Sequence, residues 1–106
     1  MKLKMDLTEN GLLMFFKDYQ LKALEALWSS EKGLSSKEVW EAVGSNQISR
    51  ASIINFLEDS YENGLLDKRE ITGKGGHRGI YSPRFDEAGT KEYLEKVFKE
   101  RLEALT

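Results

Sequence analysis

Two residues of this chain are suited above all others to molecular recognition: Arg50 and Asn55, in the run Ser49-Arg50-Ala51-Ser52-Ile53-Ile54-Asn55. An arginine fork grips a phosphate or a guanine edge, and an asparagine amide pairs bidentately with adenine. If the segment is helical with Ile53, Phe56, Leu57 and Tyr61 as its buried stripe, Arg50, Ala51, Ile54 and Asn55 turn outward together. An outward Ile54 would meet thymine methyls; the other possibility is that it packs against the N-terminal segment. Ser49 and Ser52 can donate to phosphates, and Ser49 is equally suited to cap the helix. A second group lies in Gly73-Lys74-Gly75-Gly76-His77-Arg78-Gly79, where Lys74, His77 and Arg78 sit among glycines that permit close approach to a backbone. By itself such a run is equally a solvated loop. Lys37 is a further candidate for phosphate contact. His77 is the single histidine and there is no cysteine, so a metal site lacks ligands. No acid/base pair or nucleophile–base set can be assembled either. Neither an enzyme nor a cofactor is expected.

These residues must be positioned by the elements around them. Ser35-x-x-Glu38 is a capping box that opens a helix with Val39, Trp40 and Val43 inward. Gly44-Ser45-Asn46-Gln47 breaks it. A second helix runs from Ser49 to Asn63 and is stopped by Gly64. Strands over Leu65–Thr72 and Gly79–Ser82 flank the glycine-rich tip, and Pro83 ends them. Upstream, Asp18 to Ser30 carries Leu21, Leu24, Leu27 and Trp28 at helical spacing, with Asp18 as the capping residue. In the first 16 residues, Leu3, Met5 and Leu7 alternate with polar residues ahead of Asn10-Gly11. That pattern reads as a β-hairpin with Leu12–Phe16 returning, or as an amphipathic arm. A last helix begins near Asp86 or Thr90 and ends at Leu105. Its stripe of Leu94, Val97, Phe98, Leu102 and Leu105 lies outside the compact unit and needs a partner, most simply a second copy of the chain. The expected organisation is an N-terminal hairpin or arm over residues 1–16, a central recognition unit over 17–85 and a C-terminal dimerisation helix over 86–106.

Composition sets the outer limits. With 106 residues, 40% of them hydrophobic, the chain is one small domain with a modest core. The net charge of −2 argues mildly against a nucleic-acid partner. From Asp67 to Arg84, however, Lys68, Arg69, Lys74, Arg78 and Arg84 oppose only Asp67 and Glu70, which is 5 − 2, or +3. No apolar run approaches the ~20 residues of a membrane span, and the N-terminus lacks a signal-peptide core. A cytoplasmic protein with no membrane partner is expected.

The span from Phe16 onward resembles the penicillinase-repressor (BlaI/MecI) family of winged-helix regulators. The resemblance is carried by Ala26-Leu27-Trp28, Leu34-Ser35-Ser36-Lys37-Glu38-Val39, Ser52-Ile53-Ile54-Asn55-Phe56-Leu57 with Gly64-Leu65-Leu66, and Arg78-Gly79-Ile80-Tyr81-Ser82-Pro83. MarR-like and PadR-like regulators share the pattern. It implies an α+β winged helix-turn-helix, binding to double-stranded DNA as a homodimer, and repression by steric exclusion. Reader helices would enter successive major grooves about 34–36 Å apart. The segment before Phe16 is not part of the family pattern, and the cysteine motif of copper-responsive relatives is absent. There is no recognisable domain for a small-molecule effector. The alternative is a winged-helix protein-interaction module in a larger complex.

Overall fold

A computed structural model describes residues 5–73 and 76–104. Leu3, Lys74 and Leu105 therefore lie outside the described residues, as does the side chain of His77. The fold is α+β, with four α-helices and a three-stranded antiparallel sheet, an arrangement compatible with a winged helix.

The N-terminal segment departs from the expected hairpin. The Asp6 carboxylate accepts from the Thr8 N–H at 2.9 Å and from its hydroxyl at 2.6 Å, which makes a local turn. Gly11–Met14 is a 3₁₀ turn, and the N–H groups of Phe15 and Phe16 donate to the Leu12 carbonyl. Curling in this way sends both Leu12 and Phe16 into the core, at 7% and 3% exposure. Burial of two large apolar groups, with the backbone satisfied locally, outweighs a period-two pattern whose Leu7 stays exposed.

Helix α1, Asp18–Trp28, buries Ala23, Leu24 and Leu27. Its cap position is Lys17, not Asp18. The Lys17 N–H donates to Gln20 Oε1 at 2.9 Å, and Asp18 lies in the first turn, where a carboxylate favours the helix dipole. Leu34–Ser35 forms a short strand, β1, that the sequence did not announce. Helix α2, Ser36–Val43, follows at once with its capping box intact: Ser35 Oγ accepts from the Glu38 N–H at 3.2 Å, and Glu38 Oε1 accepts from the Ser35 N–H at 2.9 Å.

Helix α3, Arg50–Glu62, starts at the Ser49 cap. The Trp40 indole of α2 donates to the Ile48 carbonyl at 2.8 Å and fixes the turn between the two helices. Ile53, Phe56, Leu57 and Ser60 are buried, whereas Tyr61, expected inward, is 42% exposed. Helical phase explains this. Two turns on from Ile53, Ser60 is only about 20° off its direction, while Tyr61 is about 80° off. Gly64 stops the helix as expected, with φ +81°. The Leu65 N–H donates to the Ser60 carbonyl and the Gly64 N–H to that of Tyr61, the Schellman pattern.

Strands β2, Leu66–Gly73, and β3, Gly76–Pro83, pair from Leu66↔Pro83 to Gly73↔Gly76. The glycine-rich tip is thus shorter than expected. Gly76, His77 and Arg78 are ladder residues, paired with Gly73, Thr72 and Ile71. Sheet order is β1-β3-β2. Helix α4, Glu87–Glu103, is capped by Asp86, whose carboxylate accepts from the Gly89 N–H at 2.7 Å. No helix among the described residues is long and apolar enough to cross a membrane.

Candidate functional site

The outward face of α3 is the one its phase implies. Arg50, Ala51 and Asn55 are exposed, Ile54 is 36% exposed, and Ser52 is half-buried beside the cap. Ile54 is therefore not packed into the interior. Ser49 accepts from the Ser52 N–H at 3.1 Å, and the two hydroxyls lie 2.8 Å apart, so much of their hydrogen bonding is spent on the helix start. Charge along α3 is segregated. Arg50 stands at the N-terminal end, where the helix dipole is positive, and Glu58, Asp59 and Glu62 occupy the C-terminal half.

Between the first turn of α2, the exposed edge of α3 and the β2–β3 hairpin lies an open cleft of about 560 Å³. Lys37, Arg50, Lys68 and Arg78 line it, together with Glu58 and Glu70. Three of the sequence candidates, Lys37, Arg50 and Arg78, are thus brought to one concave surface from three separate elements. Ala51, Ser52, Ile54 and Asn55 stand outside its lining, on the helix itself.

The positive stretch from Asp67 to Arg84 is not a free field of +3. Arg84 donates through Nε and Nη2 to Asp67 Oδ1, at 3.2 and 2.9 Å. Arg69 donates to the Lys32 carbonyl at 3.0 Å. Lys68 donates to Glu58 Oε1 at 2.6 Å, and its ammonium sits 5.6 Å from the centre of the Tyr81 ring. The Glu58 carboxylate holds the Lys68 pKa above the ordinary lysine value, and burial pushes the Tyr81 phenol up. Among the described residues no ion pair engages Lys37, Arg50 or Arg78. The Glu38 carboxyl is lowered chiefly by the Ser35 backbone N–H and then by its hydroxyl, with a smaller contribution from the charge of Arg78. Glu58, Lys68 and Glu70 were missed as site residues by sequence reasoning. Glu58 is eight residues from Arg50 and about 80° round the helix from it, and its pairing with Lys68 is tertiary, so helical phase carried no signal for it.

The apolar stripe of α4 is largely used within the chain. Leu94 is 1% exposed, and the Phe98 ring lies 4.9 Å from that of Phe15. Tyr93 donates to the Asn63 carbonyl at the end of α3, at 2.7 Å, and stacks on Phe85. The helix therefore does not lie outside the compact unit: Tyr93 docks on the α3 terminus and Phe98 on the curled N-terminal segment. Val97 is half-buried, Leu102 is 61% exposed, and residues 99–104 are all exposed.

No protein-family model matches this chain, and no curated protein matches it significantly.

Proposed function

We propose that this chain is a winged-helix regulator of transcription, akin to the penicillinase repressors, that binds double-stranded DNA as a homodimer and represses by occlusion. The observation that carries the proposal is the exposed N-terminal half of α3. Arg50, Ala51, Ile54 and Asn55 stand opposite a buried stripe, and Arg50 shares a cleft with Lys37 and Arg78. In this reading α3 enters the major groove by its N-terminal half, because the acidic C-terminal half is repelled by phosphate. Asn55 pairs with a base edge and Ile54 meets thymine methyls. Lys37, Arg50 and Arg78 position the duplex through its backbone. The exposed half of α4, with Leu102, is the surface left for a second copy.

Binding-site selection from random duplexes, followed by titrations against salt, tests this. Asn55→Ala should relax preference at one or two positions per half-site and leave the salt slope unchanged. Arg78→Ala should weaken all sequences alike and reduce the slope by about 0.9 for the phosphate it releases. Unchanged preference in folded Asn55→Ala would remove α3 as the reader. Absence of any duplex binding at low salt would favour the protein-docking module, a reading supported by Glu58 and Glu70 in the cleft.

A further inference from the structure

Four cations line the cleft, and one of them is held back. The Lys68 ammonium lies 2.6 Å from Glu58 Oε1, with the two side chains 21% and 39% exposed. Its stem crosses Gly79, where an added Cβ would stand 2.9 Å from Lys68 Cε. The Tyr81 ring lies beneath the ammonium. A carboxylate, an aromatic face and a bare stretch of backbone thus fix a side chain that would otherwise sweep the cleft. The carboxylate belongs to α3, the element that meets the bases in the reading above, and the lysine belongs to the hairpin beside it.

We propose that Glu58 limits sequence-independent binding of nucleic acid by occupying Lys68, so that Lys37, Arg50 and Arg78 alone meet phosphates in this cleft. The inference rests on the DNA-binding reading. Phosphate contacts carry no sequence information, so every cation added to the cleft raises affinity for competing sites. A lysine on a flexible stem does this in any register. Pairing it with an acid of the reader helix removes that contribution and keeps the hairpin at a constant distance from α3.

The test is the salt dependence of binding to a random-sequence duplex by the full chain, wild type against Glu58→Gln and Glu58→Gln/Lys68→Met, with circular dichroism to verify folding. Glu58→Ala serves as a second variant that leaves no amide to hold the lysine. Freeing Lys68 should steepen the slope of log K against log salt by about 0.9 per protomer. Between 200 and 50 mM salt, the affinity of Glu58→Gln relative to wild type should therefore grow roughly 3.5-fold per protomer. The double variant, with Lys68 uncharged, should return to the wild-type slope. An unchanged slope in both single variants would overturn the proposal while the DNA-binding reading stands. So would a double variant as steep as Glu58→Gln, since Lys68 would then not be the cation released. If neither wild type nor variants bind duplex at low salt, the DNA-binding reading itself fails and this inference falls with it.

Discussion

Replacing Gly33 by alanine should destabilise the fold far more than the same change at Gly11, although both glycines have positive φ, +84° and +62°. The left-handed conformation costs an L-residue roughly 1–2 kcal/mol, and this strain is common to the two sites. The surroundings differ. A Cβ at Gly33 would stand 2.7 Å from the Tyr81 carbonyl oxygen and 2.9 Å from Ile80 Cγ2, whereas at Gly11 nothing among the described residues lies within 4 Å. The Tyr81 backbone has little freedom to retreat. β3 is the central strand, and Tyr81 pairs with Leu34 on one side and Lys68 on the other. Overpacking of this kind costs about 1–3 kcal/mol. The sum for Gly33→Ala is about 2–5 kcal/mol against about 1–2 for Gly11→Ala. For a domain of this size that separates a fall in Tm of roughly 10–30 °C from one of roughly 5–15 °C. Thermal and urea unfolding followed by circular dichroism measure both. Losses within about 0.5 kcal/mol of each other would show that the crossing of Gly33 over β3 is looser than described, and the placement of β1 and the α2 N-terminus would lose its support.

Other perturbations separate the remaining arguments. Ser60 Oγ is buried without a hydrogen-bond partner among the described residues, so Ser60→Ala should raise stability by about 1 kcal/mol in urea melts, and a loss instead would mean the hydroxyl is bonded in solution. Glu38 has a folded-state pKa below its unfolded value, so its contribution is fully present above the ordinary carboxylate range and is lost as pH falls through the lowered value. Melts of Glu38→Gln should lack that acid-side component, and a pH profile identical to wild type would refute the capping-box role. Leu102→Glu should produce folded monomers in sedimentation equilibrium, with any loss of Tm confined to the concentration-dependent part that dimerisation supplies. Phe98→Ala should instead cost stability, about half of the ~3–5 kcal/mol of a fully buried phenylalanine, because it packs on Phe15 of its own chain. A monomeric wild type at high micromolar concentration would remove the homodimer.

Local chemistry was legible at most element ends, although the cap of α1 falls on Lys17 and not on Asp18. Ser35 and Glu38 wrote the start of α2, Ser49 the start of α3 and Gly64 its stop, because capping and left-handed turns involve only residues within a few positions. Helical period likewise placed Arg50, Ala51, Ile54 and Asn55 on one outward face. What depended on distant partners was not legible. Leu12–Phe16 follow Asn10-Gly11 as a return strand would, yet they curl, because the core that receives Leu12 and Phe16 is assembled from α1 onward. Leu94 and Phe98 read as an unpartnered stripe, since no local signal reports that the same chain folds back to cover them. Charge shows the same division. Summing residues from Asp67 to Arg84 already subtracts Asp67, which pairs with Arg84, but it leaves Lys68 as a free cation because Glu58, its partner, stands on a separate helix. Composition and period determine what each element is and which face it turns outward. Only the tertiary structure decides which of its charges and apolar groups are still available, because Coulomb attraction and burial act through space rather than along the chain.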